Sequence, residues 1–270
     1  MMFVRSLRPA LIALLAMLPA FSTAASPERT DGIERARLLD TLQLDGELFH
    51  VQGLEMTPQR IWVTSVDRRH HRGYIHEFDR ATGRFVRRVD LTDGPRYHPG
   101  GMSIARGSIW VPVAENRPDS TSQLVEIDAA TLTVRRRVSF PDHLGCVAIL
   151  GHQLVAGNWD SRLLYVFDLT GQARTRVLSN PSDTHYQDMK FVGRALVAGG
   201  SRGLFSGTVD WIDWSTMTVA RTLRAGAVGP VRPFGRGGPL TGEGMTIEGR
   251  DLFVVPEDGP SRVFHFRLDA

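Results

Sequence analysis

One short pattern recurs five times along the chain, four of the copies at nearly constant spacing, and that period constrains the fold more than any other feature. The copies read His50-Val-Gln-Gly-Leu-Glu-Met56, His98-Pro-Gly-Gly-Met-Ser-Ile104, His143-Leu-Gly-Cys-Val-Ala-Ile149, His185-Tyr-Gln-Asp-Met-Lys-Phe191 and Thr241-Gly-Glu-Gly-Met-Thr-Ile247. The four histidines lie 48, 45 and 42 residues apart, and Thr241 stands where the fifth would be. A period in the forties built from short strands is the signature of a β-propeller, in which each repeat is one blade that buries its faces against its neighbours.

The remainder of each repeat supplies the other strands. A second apolar strand follows, such as Ile61-Trp-Val-Thr64 or Ile109-Trp-Val-Pro112, then a third that ends near an acid, such as Leu124-Val-Glu-Ile-Asp128. Turn residues such as Ala81-Thr-Gly83 reverse the chain into a fourth strand, such as Arg84-Phe-Val-Arg-Arg-Val89. The fifth repeat stops after its third strand, at Leu268, and Arg35 to Leu44 resembles the missing fourth strand. The expected fold is therefore all-β: a single five-bladed propeller of four-stranded antiparallel blades, closed by the N-terminal strand completing the last blade. Inner strands are expected to start near residues 50, 98, 143, 185 and 241. Ala225 to Leu240, rich in Gly and Pro, reads as a long loop entering the last blade.

Residues 1–25 read as a cleavable signal peptide: Arg5 and Arg8, an apolar run from Ala10 to Phe21, then Ser22-Thr-Ala-Ala25. The run is too short to span a membrane, and no second long apolar stretch follows. The expectation is a periplasmic or secreted monomer with its domain at 26–270. Cys146 is the only cysteine, which excludes an intramolecular disulfide. Net charge is only +3, and basic clusters such as Arg135-Arg-Arg137 fall on strand-like segments. They read as solvated outer faces, so no nucleic-acid partner is expected.

In a propeller the first strand of each blade lies nearest the axis, so equivalent positions form rings around it. Strand alternation turns the residue two beyond each histidine to the same side, giving a second ring of Gln52, Gly100, Gly145, Gln187 and Glu243. Four converging imidazoles would suit one divalent Zn, Fe, Mn or Cu ion, with His50, His98, His143 and His185 as ligands and Glu243 as ligand or general base. Carotenoid cleavage oxygenases place four histidines on inner strands in a comparable way, an analogy of ligand placement alone. Gln52, Gln187 and Thr241 would touch a bound small molecule, and Trp159 and Arg162 could line a site for a planar or anionic group. The catalytic version is metal-assisted hydrolysis of an ester or lactone. The alternative is a non-catalytic binding or protein-interaction propeller, with the histidines bracing loops as in WD-type repeats. Asp67, Asp160, Asp258 and Glu115 are then the candidate partners.

At Tyr97-His-Pro-Gly-Gly101, Ile109-Trp-Val-Pro-Val-Ala-Glu115, Asp142-His-Leu-Gly145 and Asn158-Trp-Asp-Ser-Arg162, the chain resembles a family of exported propeller proteins known only as a domain of unknown function. The resemblance runs from about His50 to the C-terminus. It implies the fold and export and brings no site residues. More distantly, the repeats look like the strictosidine synthase and gluconolactonase group and the surface-layer propellers. Gluconolactonase-like members imply an axial divalent metal and ester or lactone hydrolysis, through a set of acidic and Asn ligands not reproduced here.

If residues 34–44 close the ring, deleting them will lower the melting temperature sharply in a thermal unfolding experiment. An unchanged value would exclude this closure.

Overall fold

The computed structural model describes residues 32–169, 174–229 and 237–270. The expected signal peptide, residues 1–25, and the middle of the loop entering the last blade, residues 230–236, lie outside this range. The described residues form five antiparallel sheets of the expected order. Blade 1 is His50–Met56, Arg60–Asp67, Arg72–Asp79 and Phe85–Asp90. Blade 2 has an inner strand in two pieces, Arg96–Pro99 and Ser103–Ala105, followed by Ser108–Glu115, Ser122–Asp128 and Val134–Phe140. Blade 3 is Leu144–Leu150, Gln153–Asn158, Leu163–Asp168 and Arg174–Ser179; blade 4 is His185–Val192, Ala195–Ser201, Gly207–Asp213 and Thr218–Ala225.

Blade 5 takes Gly244–Glu248, Asp251–Val255 and Arg262–Leu268 from the end of the chain, and its outer strand is Ala36–Gln43. That strand pairs antiparallel with Arg262–Leu268, from Ala36 opposite Leu268 to Gln43 opposite Arg262, so the closure expected from the truncated fifth repeat is the one observed. Among the described residues no helix is long and apolar enough to cross a membrane. The loop into blade 5 is less open than its composition suggests, because Ala227–Val228 and Gly238–Pro239 pair as a short ladder.

Burial grades outward along each blade. Arg60–Asp67 is buried from Ile61 onward, whereas the outer strand Phe85–Asp90 is largely exposed. The outer arginines lie across from acids of the third strand: Arg87 pairs with Glu77, and Arg136 Nε lies 2.7 Å from Glu126. The basic clusters are thus solvated outer faces, as the sequence suggested.

The inner strands meet at the axis so closely that side chains are excluded at some positions. A Cβ on Gly53 would lie 2.7 Å from the Gly100 carbonyl oxygen and 2.8 Å from Gly101 Cα. At Gly100–Met102 the inner strand of blade 2 is interrupted, because Gly101 pairs in parallel with Cys146 of the next blade. Gly101 N donates to Gly145 O at 2.9 Å, and Val147 N to Gly101 O at 3.1 Å.

The inner edge of each inner strand carries backbone groups with no ladder partner, and burial makes satisfying them obligatory. Three side chains do much of this. Asp188 of blade 4 accepts from Leu54 N of blade 1 at 2.9 Å and Met245 N of blade 5 at 3.1 Å. Lys190, the only lysine in the chain, donates to Asp188 at 2.6 Å and to the Met102 carbonyl of blade 2 at 2.7 Å. Glu55 of blade 1 accepts from Ile104 N of blade 2 at 3.1 Å and the Thr246 hydroxyl of blade 5 at 3.1 Å. All three are buried, and desolvation pushes both carboxyls towards higher proton affinity while Lys190 pulls them back. Removing the ammonium leaves two acids buried without their counter-ion. Lys190→Met should therefore cost about 3–5 kcal/mol in equilibrium urea unfolding, and a loss below 1 kcal/mol would show that the axial network is dispensable.

Candidate functional site

The upper end of each inner strand carries the recurring histidine, and an irregularity there aims the next residues at the axis. In blades 1, 3 and 4 one extra residue bulges out of the ladder: Gln52 between Val51 and Gly53, Gly145 between Leu144 and Cys146, and Gln187 between Tyr186 and Asp188. In blade 2 the extra residue is Tyr97, one before His98. A bulge bends the strand and re-aims side chains, which simple alternation does not anticipate. The second contribution is the residue at, or just beyond, the end of each second strand: Arg68, Asn116, Trp159, Ser201 and Glu257.

These positions enclose a cavity of about 250 Å³ lined by His50, Gln52, Arg68, His98, Asn116, His143, Gly145, Trp159, His185, Gln187, Ser201 and Glu243. An adjoining cleft shares Gln187, Ser201 and Glu243 and reaches Glu257 and Leu204. All four repeat histidines, both glutamines, Trp159 and Glu243 are therefore brought to one pocket. Thr241 and Arg162 are not. The Thr241 hydroxyl is fully buried and donates to Gly200 O at 2.9 Å, filling a crowded blade contact. Arg162 donates to the carbonyls of Ser182 at 2.9 Å and Thr184 at 2.6 Å, so its guanidinium closes a loop. Arg68, Asn116 and Glu257 were missed because they differ in type from blade to blade. Their shared place after the second strand was the available signal.

The histidines do not converge as one ligand set. Among the described residues, the group of three or more whose ligand atoms all lie within 4.8 Å is His50, Glu243 and Glu257. Inner strands spaced around an axis hold their imidazoles on a circumference: the His98 and His143 rings are 5.7 Å apart, and His185 is exposed. The Asp and Glu partners expected for bracing are also engaged elsewhere. Asp67 bonds His70 at 2.7 Å, Asp258 bonds Arg262 at 2.6 Å, Glu115 accepts from Thr121, and Asp160 from Arg162 N.

Each histidine has its own setting. His50 Nδ1 lies 2.6 Å from Glu257, and the Gln52 amide nitrogen lies 2.8 Å from His50 Nε2 and 3.1 Å from Glu243. An amide nitrogen only donates, so Nε2 is the acceptor and the proton sits on Nδ1. His143 is 1% exposed, and its Nδ1 donates to the Arg117 carbonyl at 3.0 Å, leaving Nε2 unprotonated. Trp159 stands edge-on to that ring at 4.6 Å with 41% of its surface exposed. Among the described residues, His98 Nδ1 is buried with no hydrogen-bond partner. Burial lowers the proton affinity of His98 well below normal, reinforced by His143, His50 and Arg68. Burial also takes His143 down to about 4.

Fold and site together define the protein as a five-bladed β-propeller with a polar pocket at one end of its axis. The chain belongs to a family of unknown function (DUF6454), which it matches over residues 40–208. Among solved structures, it is similar to a chain of the mitotic checkpoint complex, at 12% identity and a TM-score of 0.50 over 99% of both chains. It is also similar to the Pan2 WD40 domain of Neurospora crassa, at 8% identity and a TM-score of 0.50, covering 90% of this chain and 98% of that one. At such identities the likeness is one of fold. No curated protein matches significantly.

The depressed histidines generate a pH dependence. His143 and His76, the latter buried and held at about 3, stay neutral in the folded chain but bind protons near pH 6.5 once unfolded. At each of these two histidines the unfolded state binds more protons between about pH 6.5 and 4, so each contributes a loss of stability as the pH is lowered, by up to about 1.4 kcal/mol per pH unit. Asp128 and Asp213, held at about 2 by local hydrogen bonds, keep their charge in this window. Urea unfolding at several pH values should give a shallower slope for His143→Gln than for the wild type; identical slopes would contradict this assignment.

Proposed function

We propose that this protein is an exported binding propeller whose axial pocket holds a small polar ligand through a divalent metal ion carried by His50, Glu243 and Glu257. The observation that carries this reading is the convergence of one imidazole and two carboxylates within 4.8 Å, with His50 and Glu243 in the cavity wall. One nitrogen and two oxygen donors suit Mn2+, Fe2+ or Zn2+ better than Cu2+. The Gln52 amide, which touches both His50 and Glu243, fixes their orientation, the kind of outer support that ligand residues in metal sites commonly have. Metal binding at His50 Nδ1 would release the proton now shared with Glu257, so affinity should rise with pH. Metal-assisted ester or lactone hydrolysis is the catalytic form of the same site, with Glu243 acting as a ligand. The charged and then apolar start of the chain supports export.

A protein-interaction role has one observation in its favour. Leu204 and Phe205 are 70% and 62% exposed, and Leu204 lines the cleft beside the pocket.

Elemental analysis of the protein purified from its native compartment tests the metal reading. The expected result is close to one Mn, Fe or Zn per chain, lost in Glu257→Gln and His50→Gln variants that keep the wild-type melting temperature. A metal-free native protein that also fails to take up added Mn2+ or Zn2+ would overturn it.

A further inference from the structure

The pocket is chemically lopsided. Glu243 in its wall and Glu257 in the adjoining cleft gather with His50 where blade 5 meets blade 1. The rest of the wall, from blades 1 to 3, presents Arg68, Asn116, His98, His143 and Trp159, with Arg68 two residues beyond Val66, the cross-strand partner of His50. Among the described residues Arg68 makes no hydrogen bond or ion pair, and it is the arginine that lines this cavity. The adjacent acid does not serve it, since Asp67 is taken by the His70 ring and by the amides of residues 69 and 70. Burial keeps the His98 and His143 imidazoles neutral, so the guanidinium is the cation beside them.

We propose that Arg68 is the anchor for an oxyanion, so that the ligand of this pocket carries a carboxylate or phosphate group. A guanidinium offers two parallel N–H donors to such a group, and a charge-assisted pair of this kind is about twice as strong as a neutral hydrogen bond. The Asn116 amide supplies a neutral donor beside it, and the exposed Trp159 indole gives the body of the ligand an apolar wall. The inference rests on the pocket reading above and sharpens it. The anionic group of the ligand is received by Arg68, in the same cavity that His50 and Glu243 line.

Isothermal titration with inorganic phosphate and with malonate tests this, on the wild type, Arg68→Gln and Arg72→Gln, each with and without added Mn2+. The expected result is that at least one anion binds the wild type, at least about tenfold more weakly to Arg68→Gln, and unchanged to Arg72→Gln. Which of the two binds distinguishes a phosphate ligand from a carboxylate one. No binding of either anion, or equal binding to Arg68→Gln, would overturn the proposal. Arg68-dependent anion binding by a protein that takes up no Mn2+ would leave this inference standing and remove the metal. Mn2+ uptake with anion binding indifferent to Arg68 would do the reverse.

Discussion

A closed ring of blades leaves one sheet edge that no further strand can cover: the inner edge of the innermost strands, facing the axis. The chain meets this constraint by filling the axis rather than by leaving a water channel. Asp188, Lys190 and Glu55 bond the inner-edge groups of blades 1, 2, 4 and 5, while blade 3 is held by direct backbone pairing of Cys146 with Gly101. The crowding that excludes a Cβ at Gly53 belongs to the same closure. Because the middle of the axis is plugged, the polar pocket opens at one end only, with the ionic network as its foundation. Buried charges are costly unless paired and bonded, and here nearly every polar atom of the trio has a partner on another blade.

Repetition supplies equivalent positions; the differences between repeats supply chemistry. In this pocket the equivalent histidines stand around a circumference and do not form one ligand set. The donors that do converge come from neighbouring blades across the seam, His50 from the first and Glu243 and Glu257 from the last. The same ring position carries an arginine, an asparagine and an indole on the other blades. The pocket is thus a site of mixed charge built on a nearly symmetric frame, with acids at the seam and a guanidinium in the same wall.

The architecture was legible because its determinants are periodic. Repeat spacing, strand patterning and a fifth repeat lacking its last strand together specify five blades and a donated closing strand. The site was legible only in part. Inner-strand histidines, Gln52, Gln187 and Glu243 could be placed at the pocket because repeat register survives the bulges. Convergence of four imidazoles was not observed, since register gives the angle around the axis but not the radius. Arg162 was drawn away by carbonyls of a neighbouring loop, a contact between segments that local pattern does not encode. Lys190 lies within the fourth copy of the repeat, and only packing at the axis gives the sole lysine its place.

The strand that completes blade 5 is made first and used last. Ala36–Gln43 finds its partner only when Arg262–Leu268 exists, so four blades can assemble while this segment waits with an open edge. Contacts between the two ends of a chain are slow to form, because most of the polypeptide must be ordered before they close. The waiting strand is guarded by its own charges. Glu34, Arg35, Arg37 and Asp40 flank Leu38 and Leu39 and discourage pairing with other copies, as gatekeeper residues do beside apolar strands. Synthesis order and topology together make the finished ring all-or-nothing: a chain lost short of its last strand has no way to seal.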